Sequence, residues 1–222
     1  MEERKTVNFK KEEFALKMYV KNFLGKGKVS RVIIEYTPVG EKIIISTHKP
    51  GLVIGMKGET INKLTDILKK KFSLKNPRIE IEEILVPEFD AQIMADEIAL
   101  SLERFGPLRF KVVSYRTLQK IIKAGALGVE IRLNGKLPGA RAKKWRFAQG
   151  YLKKTGDSSK VVDRAKAKAE TKPGTVGVKV SILSPHAVLK DRIEITDEFI
   201  AKLKKTTEEE PKKKIKKVRR KK

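Results

Sequence analysis

Gly55 and Gly58 enclose Met56 and Lys57 in the stretch "GLVIGMKGET", residues 51–60. Glycine lets a backbone take φ > 0 and lets another chain approach with no Cβ in the way. The residues after Gly58 have helical spacing, so free N–H groups at a helix start would lie beside the bend and favour an anion there. Lys57 places a formal positive charge in the loop itself. Val53 and Ile54 precede the bend and Ile61 follows it, which predicts an apolar groove alongside. Together these make a seat for sugar-phosphate, with a groove on which bases can lie. Other phosphate loops fit worse: Met56 stands where the second glycine of GxxxxGK[ST] belongs, and no GxGxxG occurs.

A second group of cations, Lys136, Arg141, Lys143, Lys144 and Arg146, surrounds Trp145 and Phe147. The cations suit phosphates. The two aromatics either stack on bases or fill a core, and both readings stay open. Catalytic chemistry has less support, because His48 and His186 each stand without a neighbouring Ser or Asp or a metal-ligand spacing. Glu80 and Glu82 alternate with Ile79 and Ile81, which makes them the solvated side of a strand rather than an acid–base pair. A lysine nucleophile would need a desolvated amine of lowered pKa, and the sequence nominates none. No catalytic residue, metal site or cofactor is expected.

Elements with regular hydrophobic periods must position these groups. Leu16, Val20 and Leu24 recur every four residues and predict a helix over 12–24, stopped by Gly25 and Gly27. Val32, Ile34 and Tyr36, then Ile43, Ile45 and Thr47, alternate on either side of "TPVG" and predict an antiparallel hairpin. Ile61, Leu64, Leu68 and Phe72 mark a helix after the glycine loop, and Ile79 and Ile81 a third strand. Met94, Ile98, Leu102 and Phe105 mark another helix, ended by Gly106-Pro107, which reads as a joint. Beyond it, Leu108, Val112, Tyr115, Leu118 and Ile122 predict a helix running to Gly125, and Val129, Ile131 and Leu133 a strand that turns at Asn134-Gly135. "VGVKVSIL" reads as a strand, while "RAKAKAE" suits a helix by propensity and a strand by alternation. The fold class is α+β: a first unit of α/β layers over 1–105, a second unit with a mainly antiparallel sheet over 106–200, and a disordered basic tail over 201–222.

Charge narrows the partner. Lys and Arg number 52 against 27 Asp and Glu, a formal +25 on 222 residues. Such a surplus repels itself unless an anion neutralises it. Nine of the eleven residues from Lys212 to Lys222 are basic and lack the bulky apolar face of a membrane-surface helix, so nucleic acid is the expected partner and a membrane is not. The absence of any run of 18 apolar residues, or of an apolar block behind the charged N-terminus, makes a cytoplasmic protein the expectation. With no cysteine, disulfides, thiolate chemistry and Cys-bound zinc are excluded.

"VIGMKGETI" resembles the signature of the K-homology (KH) RNA-binding domain, and an α-β-β-α-α-β order implies its type II arrangement. In order along the chain, "KPGLVIGMKGETINKL", "LNGKLPGARAKKWRF" and "GTVGVKVSIL" resemble the S3 family of small ribosomal subunit proteins in its archaeal or eukaryote-like version, over about residues 10–196. The resemblance implies a structural protein of the subunit head near where mRNA enters, in cytoplasmic ribosomes. Its implied partners are small-subunit rRNA, mRNA and neighbouring head proteins, with no small-molecule substrate. It implies RNA contacts from Val53, Ile54, Gly55, Met56, Lys57, Gly58 and Ile61, and from the basic cluster Lys136, Arg141, Lys143, Lys144 and Arg146. Bacterial members carry a basic "FRRxxKR" run on the linking helix that faces incoming mRNA. Phe110, Lys111 and Arg116 agree with it here, Val112 and Tyr115 replace two of its cations, and Arg104, Arg109 and Lys120 are the further candidates. Two rival readings stay open: a DNA-repair lyase, an activity associated with eukaryotic relatives, and a free-standing KH regulator that binds single-stranded RNA.

Overall fold

Apolar residues every fourth position close the N-terminal segment into helix α1 (Glu2–Leu24), with Leu16, Val20 and Leu24 buried. In the computed structural model, which describes residues 2–189 except Val39, Ser73 and Lys75, this helix starts at Glu2 rather than at 12. Its early turns have little apolar spacing to betray them. They carry ion pairs instead: Glu13 accepts from Lys10 at 2.6 Å and from Lys17 at 2.5 Å, and these two hydrogen bonds hold its carboxyl at about 2. The expected basic tail over 201–222 lies outside the described residues.

Strands β1 (Arg31–Thr37) and β2 (Gly40–Thr47) form the expected antiparallel hairpin, and β3 (Arg78–Glu83) joins the other edge of β2 in parallel. A parallel neighbour needs a crossover. Here it is built from a short helix α2 (Pro50–Ile54), the glycine bend and helix α3 (Glu59–Phe72). Ile43 and Ile45 of β2 pack with Leu64 and Leu68 of α3 and with the α1 stripe to make a first core. Glu80 and Glu82 face outward, where Glu80 meets Lys42 at 2.8 Å.

A second core lies under an antiparallel sheet of order β5-β4-β7-β6, made of β4 (Gly128–Gly135), β5 (Lys143–Gly150), β6 (Asp163–Thr171) and β7 (Gly174–Leu183). Helices α4 (Ala91–Phe105) and α5 (Phe110–Lys123) cover one face, with Met94, Ile98, Leu102, Phe110 and Ile121 in the core. Asp90 caps α4 by accepting from the N–H groups of Gln92 at 2.8 Å and Ile93 at 3.1 Å.

Acidic residues on α4 tie the two cores together. Asp96 accepts from the Gly27 N–H at 3.0 Å, and Glu103 accepts from Lys26 at 2.8 Å and from the Glu170 N–H of β6 at 2.9 Å. Burial pushes the Asp96 carboxyl up, against the pull of the Gly27 and Gln92 donors.

Two sequence expectations change and one open choice is decided. The stripe Leu108, Val112, Tyr115 is not the buried face of α5, since Leu108 is 78% and Val112 68% exposed. The helix turns Phe110, Ser114, Thr117, Leu118 and Ile121 inward, because small hydroxyl residues let it sit close to the sheet beside Phe110. Asn134-Gly135 is not a two-residue turn: Asn134 pairs with Lys144 and Gly135 with Lys143, and the reversal comes in the following loop. The ambiguous "RAKAKAE" is strand, because alternation buries Ala165 and Ala169 while Arg164, Lys166 and Lys168 stay exposed.

Candidate nucleic-acid interface

The glycine bend is a single tight turn, Met56–Gly58, between α2 and α3. Its backbone takes φ of +74° at Gly55, +52° at Lys57 and +77° at Gly58. A non-glycine residue at positive φ is uncommon, and Lys57 is the one such residue described. The two glycines serve different ends. A Cβ on Gly55 would lie 2.1 Å from Thr60 Oγ1, so that position is closed to a side chain from within the fold. A Cβ on Gly58 would meet nothing within 4 Å, so its backbone faces open space.

Val53, 1% exposed, is buried in the first core beneath the bend. Ile54 and Ile61 are partly exposed, and Met56 stands 84% exposed at the tip. Lys57 is exposed and has no ion pair among the described residues. The α3 cation nearest in sequence, Lys63, is bonded to Glu59, which holds that carboxyl below its ordinary range. An anion approaching the bend therefore meets one unneutralised ammonium and an unobstructed backbone.

The linking helix and the basic cluster come together on the second core. Phe110 packs with Trp145 at 5.2 Å and Phe147 at 6.3 Å, Tyr115 meets the edge of Phe147 at 5.0 Å, and the Lys111 ammonium lies 5.0 Å from the Trp145 ring centre. Phe147 is buried and Trp145 half-buried, which decides for the core reading of both aromatics. Lys144 and Arg146 alternate with them and are exposed, as are Lys136, Arg141 and Lys143. On the helix side Arg104, Arg109, Lys111, Arg116 and Lys120 are exposed. Arg109 lies 6.0 Å from the Phe105 ring, and Lys120 is engaged by Glu97 at 3.2 Å and Glu88 at 3.7 Å.

Sequence reasoning missed Glu130. It sits mid-strand on β4, 5% exposed, bonded to Arg146 and to Arg132 at 3.0 Å, with Lys154 at 3.7 Å. Burial alone would raise its pKa; the hydrogen bonds from Arg146 and Arg132 outweigh that and hold the carboxyl below its ordinary range. The available signal was a carboxylate within the alternating run of "VEIRL". Its arginine on β5 could not be paired with it before the register was known. Of the two histidines, His186 stands edge-on to Phe89 at 6.4 Å, while burial, then Lys49, lowers the pKa of His48. Among the described residues no cluster of His, Cys, Asp or Glu could hold a metal ion, and no helix is long and apolar enough to cross a membrane.

Residues 15–89 match the KH domain family, and residues 98–182 match the family described as ribosomal protein S3, C-terminal domain. A KH unit followed by this antiparallel unit defines an RNA-binding protein of the ribosome. The small ribosomal subunit protein uS3 of Methanocaldococcus jannaschii is 39% identical over 95% of this chain and 100% of its own length. Proteins of the same name from Methanosphaera stadtmanae (38% identical, 81% of this chain, 71% of theirs) and Methanothermobacter thermautotrophicus (39%, 78% and 67%) are similar. The chain belongs to the uS3 family of small ribosomal subunit proteins. It is a ribosomal protein rather than an enzyme.

Proposed function

We propose that the chain stands in the head of the small subunit beside the path by which mRNA enters, in cytoplasmic ribosomes, contacting rRNA, mRNA and neighbouring head proteins. In this reading a KH domain over 1–105 and a C-terminal domain over 106–200 divide the work, and α4, the last element of the first, packs on the second sheet while its Asp96 accepts from the Gly27 N–H. The observation that carries it is the bend at 55–58: positive φ at Gly55, Lys57 and Gly58, open space over Gly58, and an exposed Lys57. Backbone phosphate docks on the Gly58 side, with Lys57 as counter-charge and Ile54, Met56 and Ile61 beside it; Val53 supports them from below. The cations Arg104, Arg109, Lys111, Arg116 and Lys120 of the linking region face mRNA, and Lys136, Arg141, Lys143, Lys144 and Arg146 take rRNA phosphates.

The test is a crosslinking map of small subunits reconstituted with the Lys57→Asp/Gly58→Asp chain. Two carboxylates at the bend repel phosphate and meet no neighbouring atom at Gly58, at the cost of backbone strain alone, so crosslinks from 55–61 to RNA are lost while subunits still assemble. Undiminished crosslinks would remove the bend from RNA binding.

A further inference from the structure

The ladder of the second sheet places four cations in one line. Arg132 of β4 is directly opposite Arg146 of β5 on one side and Lys179 of β7 on the other, and Lys179 is opposite Lys166 of β6. All four belong to the face turned away from α4 and α5, since their neighbours along the strands, Ile131, Leu133, Val178 and Val180, are buried in the core. At roughly 4.8 Å per strand the line crosses about 14 Å of sheet. Like charges directly opposite each other destabilise a sheet. A face selected for folding alone would alternate signs here.

The line borders a concavity of about 600 Å³ that is also lined by Asn134 and Lys144. Gly177 lies on its floor and contributes no side chain to fill it. Glu130 engages Arg132 and Arg146 from beneath and fixes where their guanidinium groups stand. Lys166 and Lys179 have no ion pair among the described residues. That half of the face carries charge that no described carboxylate neutralises, and a bound anion would.

We infer that this open sheet face is a second RNA-binding surface, taking the phosphate backbone of rRNA across the strands. The inference rests on the reading of the chain as an rRNA-binding protein and extends it to β4, β6 and β7. A regular line of like charges matches a polymer that repeats its anion at every unit. Trp145 and Phe147 point to the opposite side, so the face offers charge and aliphatic stems but no aromatic platform for bases. Its binding is accordingly insensitive to sequence and strongly sensitive to salt.

The experiment titrates the full chain against transcribed small-subunit rRNA over a range of salt concentrations, comparing it with Lys166→Gln/Lys179→Gln and Lys166→Arg/Lys179→Arg. Two lost phosphate contacts make the slope of log affinity against log salt shallower by about 1.5 for the glutamine pair. The arginine pair keeps the original slope, and the glutamine pair melts no lower than the unaltered chain. Equal slopes with tight binding throughout would overturn the sheet surface and leave the rRNA reading intact. Failure of the unaltered chain to bind would overturn both. Displacement of the rRNA by polyglutamate as readily as by polyuridylate would mark the face as a dock for an acidic protein and overturn the inference.

Discussion

Gly55→Ala and Gly58→Ala separate the glycine that the fold needs from the one that faces outward. Gly55 has φ +74° and ψ −178°, a region essentially reserved for glycine. A side chain there costs about 1–3 kcal/mol in backbone strain. The new Cβ also lies 2.1 Å from Thr60 Oγ1 and 2.9 Å from Thr60 Cβ, and overpacking of that kind adds about 1–3 kcal/mol. Gly58 at φ +77° carries backbone strain alone, about 1–2 kcal/mol, because nothing lies within 4 Å of its Cβ position. At roughly 3 °C per kcal/mol for a chain of this size, Gly55→Ala lowers the melting midpoint by about 12 °C and Gly58→Ala by about 4 °C. Thr60→Ala added to Gly55→Ala recovers only part of the loss, since the Thr60 Cβ remains. RNA affinity reverses the order once corrected for the folded fraction, because the Gly58 methyl projects where phosphate must approach. Calorimetry and filter binding on the same preparations read both quantities. If the two variants melt at the same temperature, the division of labour within the bend is wrong.

Glu130 gives the chain an acid limb. Its native pKa lies below the unfolded value, so the stability it contributes is complete above about pH 4.3 and is lost as pH falls through the lowered native value. Glu130→Gln lowers stability at neutral pH and flattens the pH dependence, read by urea unfolding from about pH 3 to 7; parallel curves would show that the carboxylate is not coupled to its arginines. Phe110→Ala removes a fully buried ring that meets Trp145 and Phe147 and costs about 3–5 kcal/mol, whereas Tyr115→Ala, at a half-exposed ring, costs about 1 kcal/mol. Equal costs would mean that the inward face of α5 has been misassigned.

The elements around the bend were legible because strong local signals coincide there: alternation in β1 to β3, a four-residue stripe in α1 and α3, and two glycines that break both periods. The α5 face was not legible. Its buried side mixes Phe110 and Leu118 with Ser114 and Thr117, and its exposed side holds Leu108, Val112 and Tyr115, so a count of apolar residues points the wrong way. The bend's own chemistry could be read from residue types, but not that Val53 is core while Met56 is the tip, which depends on α2 forming over Pro50–Ile54, turning Val53 inward and ending before the bend. The cation line across the second sheet was invisible for a different reason. Arg132, Arg146, Lys166 and Lys179 are scattered along the chain, and only the register of three strand pairs puts them side by side.

That register also explains how a chain with a formal charge of +25 holds together. The best-placed carboxylates are committed to structure. Asp90, Asp96 and Glu103 pin the loop before β1 to α4; Asp163 accepts from the Ala91 N–H at 2.9 Å; Glu130 gathers cations from β4 and β5. Between them they accept from backbone N–H groups, a hydroxyl, an ammonium and two guanidinium groups. What is left on the outside is mostly lysine and arginine, with many of them along α5 and over the open sheet face and Lys57 alone at the bend. Acids used as internal connectors and bases left without partners are two consequences of one distribution. It uses the buried and half-buried acids to close the fold, and the surplus of cations on the surface repels itself until an anion relieves it.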